Sequence, residues 1–162
     1  MNIKNYTTGV SWKQTIGEIE GLLSEFGANA IMKEYTGDSR VRSLSFKIST
    51  DFGVMGYKLP ADSDRVFQIL KNQKKHLRNE ALLHEQAERV AWRVIKDWLH
   101  AQFSLVFIGQ AKVEQILLPY MYDGKQTFYE RVEAGGFQLG LSAPKEKQSV
   151  NSILTIGEED EK

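Results

Sequence analysis

The chain of 162 residues is 41% hydrophobic, which is enough for one core and predicts a single domain. Its 21 lysines and arginines balance 21 aspartates and glutamates, so the net charge indicates no class of partner and only the local distribution of charge is informative. The absence of cysteine excludes disulfides, zinc sites with thiolate ligands and a cysteine nucleophile.

The sequence carries no signal for a membrane. Residues 1–14 lack the apolar stretch of a signal peptide, and the longest mainly apolar run, 101–108, is far too short to span a bilayer. Together with the lack of cysteine, this predicts a protein of the cytoplasm that makes no contact with a membrane.

The first predicted element is an amphipathic helix that follows Ser11 and stops at Gly27. Ser11 is a suitable N-cap, and Gly27 suits the left-handed conformation that often ends a helix. Between them, apolar residues recur at spacings of four, three, four and three, which form one stripe on a helix. The stripe consists of Trp12, Ile16, Ile19, Leu23 and Phe26.

Three strands are predicted next, in segments 30–35, 41–50 and 54–60. Short turn-forming segments separate them, which predicts an antiparallel meander. The middle strand alternates apolar and polar residues, so we expect one buried face and one wet face. The buried face would carry Leu44, Phe46 and Ile48, and the wet face Ser43, Ser45 and Lys47.

The rest of the chain is predicted to be mainly helical. A short helix capped by Asp62 or Ser63 leads into a polar, basic connector, and Asn79 caps a long helix that ends near Gly109. Two short helices follow, within 113–121 and 123–136. The main apolar stripe of the long helix has a near-heptad spacing, which predicts burial along much of its length. It consists of Leu83, Ala87, Val90, Val94, Trp98, Ala101, Leu105 and Ile108.

These elements predict the α+β class, with a small antiparallel sheet of about three strands packed against helices and one long central helix. We expect a single domain over residues 1–141. Residues 142–162 are mostly polar and end in an acidic cluster, so they are predicted to form a flexible acidic tail.

Basic residues concentrate between Arg65 and Lys96, where eight lysines and arginines face three glutamates. Some of them recur at helical spacing on one face of the long helix, beside Trp92, and the others lie in the connector. Phosphate backbones bind such surfaces, and a nearby aromatic ring can stack on an unpaired base. We therefore predict that DNA or RNA binds to seven residues. They are Lys71, Lys74, Lys75, Arg78, Arg89, Arg93 and Lys96.

Two alternatives remain open for this surface. Glu85 and Asp97 lie four residues from Arg89 and Arg93, so ordinary surface ion pairs would neutralise the helix and leave a merely solvated face. Alternatively, exposed aromatic residues and charged patches bind a host protein, which would make the chain an inhibitor of a defence or replication factor. The aromatic residues concerned are Tyr120, Tyr122, Phe128 and Tyr129.

Motifs for catalysis or metal binding are weak. His84 and Glu88 lie four residues apart, but two ligands do not make a site, and the segment lacks the second histidine of a zincin. The tripeptide Asp-Phe-Gly at 51–53 lies in a predicted turn without the other elements of a kinase. No nucleophile–base pair stands out either. We therefore predict no catalytic residues, no metal and no cofactor.

The segments NYTTGV, IMKEY, ERVAWRVIKDWLHAQ, LLPYM and TFYERV together resemble a family of small uncharacterised proteins from phages and prophages of Gram-positive bacteria. The resemblance extends over about residues 2–133 and covers neither the basic connector nor the acidic tail. It implies a virus-encoded accessory protein inside a bacterial cell. It carries no known chemistry, so it assigns no functional residue.

Overall fold

The computed structural model describes residues 3–73 and 79–138. Over these residues the chain forms a three-stranded sheet and five α-helices, which confirms the predicted α+β class. The elements are α1 (Trp12–Glu25), β1 (Ala28–Tyr35), β2 (Val41–Thr50), β3 (Gly53–Pro60), α2 (Ser63–Gln73), α3 (Glu80–Phe107), α4 (Val113–Leu117), a 3-10 helix (Leu118–Tyr120) and α5 (Phe128–Ala134). The predicted tail, 142–162, and residues 74–78 of the connector lie outside the described residues.

Helix α1 has the predicted ends. The Ser11 hydroxyl accepts a hydrogen bond from the Lys13 N–H at 3.3 Å, and Gly27 adopts a φ of +83°, which glycine tolerates because it has no Cβ. The middle of the predicted stripe is buried in the main core, and its two ends are half-buried against it. The spacing of apolar residues therefore identified the buried face of α1 correctly.

The sheet is antiparallel in the order β1-β2-β3, as the meander predicts. Leu44, Phe46 and Ile48 of β2 form its buried face and lie opposite the apolar residues of β3. The prediction of a wet opposite face is wrong for Ser43 and Ser45, which are both buried. Long side chains of the neighbouring strands cover this face, because cross-strand neighbours project from the same side of a sheet.

Helix α3 starts after the predicted cap Asn79 and ends before Gly109, but the prediction of one continuous buried stripe is wrong in its second half. There Leu99 and Phe103 are buried, whereas Leu105 and the C-cap residue Ile108 are exposed. The reason is that α3 has two sets of neighbours. Its first half packs against α2, and its second half packs against α1 and the sheet, which lie on a different side of the helix.

The C-terminal segments close the sheet beside β3. Met121 forms a β-bridge with Tyr57, and the Tyr122 N–H donates to the Gly56 carbonyl at 2.8 Å. A side chain at position 56 would bring its Cβ within 2.9 Å of the Tyr122 carbonyl oxygen, so this contact requires glycine. Among residues 3–73 and 79–138, no helix combines the length and hydropathy that crossing a bilayer demands.

Candidate functional site

The basic residues predicted on the long helix lie together on one face of α3. Arg89, Arg93 and Lys96 are all half-buried there. Lys71 is exposed in the last turn of α2, the helix that packs antiparallel to the start of α3. Lys74, Lys75 and Arg78 were predicted as part of the same surface, but they lie outside the described residues.

Two of the described cations, Lys71 and Arg89, each pair with a glutamate in the first turns of α3. The Lys71 ammonium lies 2.6 Å from Glu80 Oε1. Arg89 pairs with Glu85, the partner that the four-residue spacing predicts. Exposed pairs of this kind contribute at most about 1 kcal/mol to stability, but they cancel the local charge.

The other two cations pair with α1. Arg93 Nη1 donates to Glu18 Oε2 at 2.9 Å, and the Lys96 ammonium lies 3.7 Å from the same oxygen. Glu18 is 75 residues from Arg93 in sequence, so helical spacing gave no sign of this contact. One carboxylate of α1 therefore serves two of the predicted phosphate-binding residues.

Asp97 adds a second carboxylate to this face. It lies 3.8 Å from Arg93, 3.0 Å from the Lys4 ammonium and 3.0 Å from the Asn5 amide. Partial burial opposes the charged form, but the hydrogen bonds from Asn5 and Lys4 and the nearby positive charges outweigh it, so the pKa of Asp97 lies below its usual value. Asp97 is therefore an anion at neutral pH and repels phosphate from the face.

The described charges consequently do not form a basic surface. The four described cations of the prediction and Lys4 face four carboxylates, those of Glu18, Glu80, Glu85 and Asp97, so only one positive charge is in excess. The predicted stacking platform is also missing, because Trp92 is fully buried in the main core. The solvated-face alternative describes α3 better than a phosphate-binding stripe does.

The aromatic residues predicted for a protein interface are mostly covered. Tyr120 packs against Trp98, and Phe128 is half-buried. The ring of Tyr122 lies 5.0 Å from the Lys58 ammonium in a cation–π contact. Tyr129 alone among the four predicted aromatic residues is exposed.

A buried polar network that the sequence did not predict lies on a different face of α3, about a quarter of a turn around the helix. Glu88 is only 3% exposed and is the one buried charged residue in the described part of the chain. Its Oε1 accepts a hydrogen bond from Arg40 Nη1 at 3.1 Å and another from the Ser63 hydroxyl at 2.8 Å. Its Oε2 is also buried and has no hydrogen-bond partner among the described residues.

Three separate elements bring these groups together. Glu88 lies in α3, Ser63 is the first residue of α2, and Arg40 ends the turn between β1 and β2. A weak signal for Glu88 was present, since it continues the second apolar row of the long helix, where a carboxylate is out of place. No signal pointed to Arg40, because its partner is 48 residues away.

Arg40 is shared among three carboxylates. Besides Glu88, its guanidinium lies 2.6 Å from Asp38 and 3.5 Å from Asp64. Burial works against the charge, but the hydrogen bond to Asp38 and the three negative charges outweigh it, so the pKa of Arg40 lies above its usual value. Arg40 is therefore permanently positive, and the three negative charges around it exceed its single positive charge.

The network lines a cavity of about 470 Å³. Its walls come from the turn before β2, the end of β3 and the start of α2, with Glu88 at the side of α3. Three carboxylates, those of Asp62, Asp64 and Glu88, face two guanidinium groups, those of Arg40 and Arg42. The volume is in the range of small-ligand sites, which span about 300–1,000 Å³.

The His84–Glu88 spacing does not form a metal site. The His84 ring stacks on Phe67 with centroids 3.7 Å apart, and Glu88 is committed to Arg40 and Ser63. Over the described ranges, no group of three histidine, aspartate or glutamate side chains is placed to hold a metal ion.

Comparisons with protein-family models, with characterised proteins and with solved structures found no significant match to this chain. The contacts, charges and exposed groups described above are therefore the observations that bear on function.

Proposed function

We propose that this chain is a non-catalytic accessory protein of a phage or prophage, and that it acts in the cytoplasm of the bacterial host by binding another protein. The resemblance of five segments to phage and prophage proteins supports the setting. The balanced charges of α3 favour a protein over nucleic acid as the partner. In this proposal the chain inhibits a host defence or replication factor.

The observation that carries the proposal is a group of exposed apolar side chains at the end of α3. Phe107 is 85% exposed and Ile108 59% exposed, and Leu105 is exposed in the same turn. Single exposed apolar residues are common on monomers, and three large ones within residues 105–108 indicate a candidate interaction site. We call Leu105, Phe107 and Ile108 the apolar end.

A second exposed aromatic residue lies on a turn that contacts the segment after α3. Phe52, in the β2–β3 turn, is 73% exposed. The turn lies close to the segment after α3, because the Asp51 carboxylate is 4.0 Å from the Lys112 ammonium. Aromatic side chains dominate the energetics of most protein interfaces, so Phe107 and Phe52 are the residues whose loss should weaken binding most.

The proposal is tested by affinity capture from infected host cells, followed by titration of the captured protein after purification. We expect one partner at fixed stoichiometry, and we expect Phe107→Ser to weaken it at least about tenfold, which is a common effect for an interface anchor. Tyr35→Ser is the matched control, because Tyr35 is an exposed aromatic residue on β1. Equal affinity of the native and Phe107→Ser proteins would contradict the proposal.

Nucleic acid is the second candidate, and it rests on the sequence between 71 and 78. Four basic residues, Lys71, Lys74, Lys75 and Arg78, occur there without an acidic residue. Arg89, Arg93 and Lys96 support this candidate less, since each already has a carboxylate partner. A nucleic-acid interface would therefore centre on the connector.

Salt dependence separates the connector from the full predicted surface. Raising salt from 50 to 200 mM should weaken binding about 150-fold for four phosphate contacts and about 6,000-fold for seven, at a slope of about 0.9 per contact for duplex DNA. Fluorescence anisotropy with single- and double-stranded DNA and with RNA measures this. Lys74, Lys75 and Arg78 changed together to glutamate should abolish binding.

The control for that variant changes three exposed lysines elsewhere, Lys13, Lys47 and Lys125, to glutamate. It alters the net charge equally, so it should retain more affinity than the connector variant if the contact is local. Absence of binding at low salt would remove the nucleic-acid candidate and leave the protein partner.

A further inference from the structure

We infer that the cavity beside Glu88 binds a cationic nitrogen group, either a guanidinium or an ammonium. The inference is independent of the proposed partner protein, because it rests on a different part of the molecule. The cationic group belongs either to a small free molecule or to an arginine or lysine side chain of another protein, and the chemistry of recognition is the same in both cases.

The two oxygens of Glu88 are used unequally. Oε1 accepts hydrogen bonds from Arg40 and Ser63, whereas the buried Oε2 accepts none from the part of the chain that the structure describes. A buried polar atom without a partner costs roughly 1–3 kcal/mol, and a charged one costs more. A cationic donor from a ligand would offset most of that cost. Oε2 has almost no accessible surface in the unliganded chain, so a small shift of the side chains around it has to expose it to the cavity.

The charge balance of the cavity also favours a cation. Arg40 divides its charge among Asp38, Asp64 and Glu88, so it offsets the charge of Glu88 only in part. Asp62 adds a further carboxylate to the lining. The carboxylates therefore outnumber the guanidinium groups, and a bound cation would restore the balance.

Two features of the cavity would favour an anion instead, and both are weaker. The start of α2 carries a partial positive charge, but the Asp62 carboxylate already accepts the Arg65 N–H at 2.8 Å. Arg42 lines the cavity with an exposed side chain, and it also feels the charge of Glu34. One exposed guanidinium is well screened by water, whereas the Glu88 carboxylate is not.

The size and construction of the cavity fit a side chain or a small molecule. A volume of about 470 Å³ exceeds what a single guanidinium needs and leaves space for the aliphatic chain that carries it. The Glu88 network itself holds the walls together, so Arg40, Ser63 and Oε1 of Glu88 are positioned before a ligand arrives.

The test uses the full chain and three probes of matched shape. n-Butylguanidinium carries the charged group, n-butylurea is its neutral equivalent, and a tripeptide with both ends blocked carries arginine as a side chain. Amide chemical shifts in NMR titrations give the site and the affinity. We expect n-butylguanidinium to shift the amides of Arg40, Ser63 and Asp64, and n-butylurea to bind at least about tenfold more weakly.

The tripeptide distinguishes the two sources. If it binds as well as n-butylguanidinium, a partner's arginine fits the cavity. If it binds much more weakly while n-butylguanidinium still binds, the ligand is a free small molecule. Both results support the inference, because both require a cationic group at Glu88.

Variants locate the group that recognises the cation. Glu88→Gln should weaken n-butylguanidinium at least about tenfold, because it replaces the charged acceptor. Asp64→Asn should weaken it about two- to threefold, since Asp64 is exposed and screened. Glu25→Gln, on the exposed face of α1, is the matched control and should change nothing.

Three results would overturn the inference. They are the absence of saturable shifts at millimolar probe, equal affinity for n-butylurea, and shifts that map away from the cavity. If Glu88→Gln does not fold, the comparison of the charged and neutral probes and the Asp64→Asn variant still decide the question.

Discussion

Two charged regions on α3 contain the same chemical groups in different surroundings. In the Arg93 region, Arg93 and Lys96 pair with Glu18 and Asp97. All four side chains are half-buried and remain partly accessible to water. The Glu88 network contains a carboxylate that is 3% exposed. Because water screens the first region and not the second, similar ion pairs differ several-fold in what their loss costs. Burial, more than the number of pairs, therefore decides which charges the fold needs.

The largest expected effect comes from Arg40→Met. The change leaves Glu88 buried without its cationic partner, and removal of one partner of a buried pair typically costs about 3–5 kcal/mol. We expect about 3 kcal/mol here, because Arg40 is only half-buried. Urea unfolding followed by tryptophan fluorescence measures the change. A loss below about 1 kcal/mol would mean that the two regions do not differ.

The double variant Arg40→Met/Glu88→Leu sharpens this result. Removing both charges also removes the unpaired carboxylate, so much of the lost stability should return. If the double variant is less stable than Arg40→Met alone, the hydrogen bonds of Glu88, and not the pairing of its charge, account for most of the stability of the network. The same urea experiment provides the answer.

Arg93→Met should have a smaller effect, about 1 kcal/mol, because the pairs it breaks are partly hydrated. This loss should shrink further in 1 M salt, where charges are screened beyond about 3 Å. The effect of Arg40→Met should persist in the same salt. Equal salt sensitivity of the two variants would contradict the distinction between wet and buried pairs.

The ion pair of Glu34 and Lys58 on the outer face of the sheet should contribute a stability that depends on pH. Hydrogen bonds from Lys58 and then Ser43 hold the pKa of Glu34 below its usual value of 4.5. A lowered pKa stabilises the fold above 4.5, and that stability is lost as the pH falls through the lowered value. The difference in unfolding free energy between the native protein and Lys58→Met should therefore shrink on acidification from pH 7. If the difference in unfolding free energy stays constant with pH, the lowered pKa of Glu34 does not stabilise the fold.

The smallest effect is expected for Lys71→Met. Lys71 and Glu80 are both exposed, so water screens their pair. The midpoint of urea unfolding should not change measurably. A clear shift would show that an exposed pair on this protein behaves like the Glu88 network.

Contacts between residues that are close in sequence could be predicted, whereas contacts between distant segments could not. Local signals were sufficient for α1, for the three strands and for the ends of α3, because caps, turns and spacing act over a few residues. The same local rule identified the Glu85–Arg89 pair. It failed for Glu18 and Arg40, whose partners come from distant segments.

The second half of α3 shows the same limit for apolar residues. Periodicity gives the width of an apolar face, but the position of the neighbouring elements decides which part is buried. Leu99 and Phe103 are buried because α1 and the sheet lie on their side, whereas Ile108 belongs to the predicted stripe and remains exposed. Only the tertiary arrangement contains that information.

Helix α3 is shared between two unequal hydrophobic clusters, so we expect the two regions of the molecule to unfold locally with different free energies. Its second half belongs to the main core, while the buried apolar contact of its first half with α2 is a small cluster, formed by Phe67, Leu70, Leu83 and Ala87. Backbone amides open most readily where few apolar side chains anchor them. In hydrogen exchange, the amides of α2 should therefore exchange faster than those of α1, and protection along α3 should rise from its first turns toward Leu99.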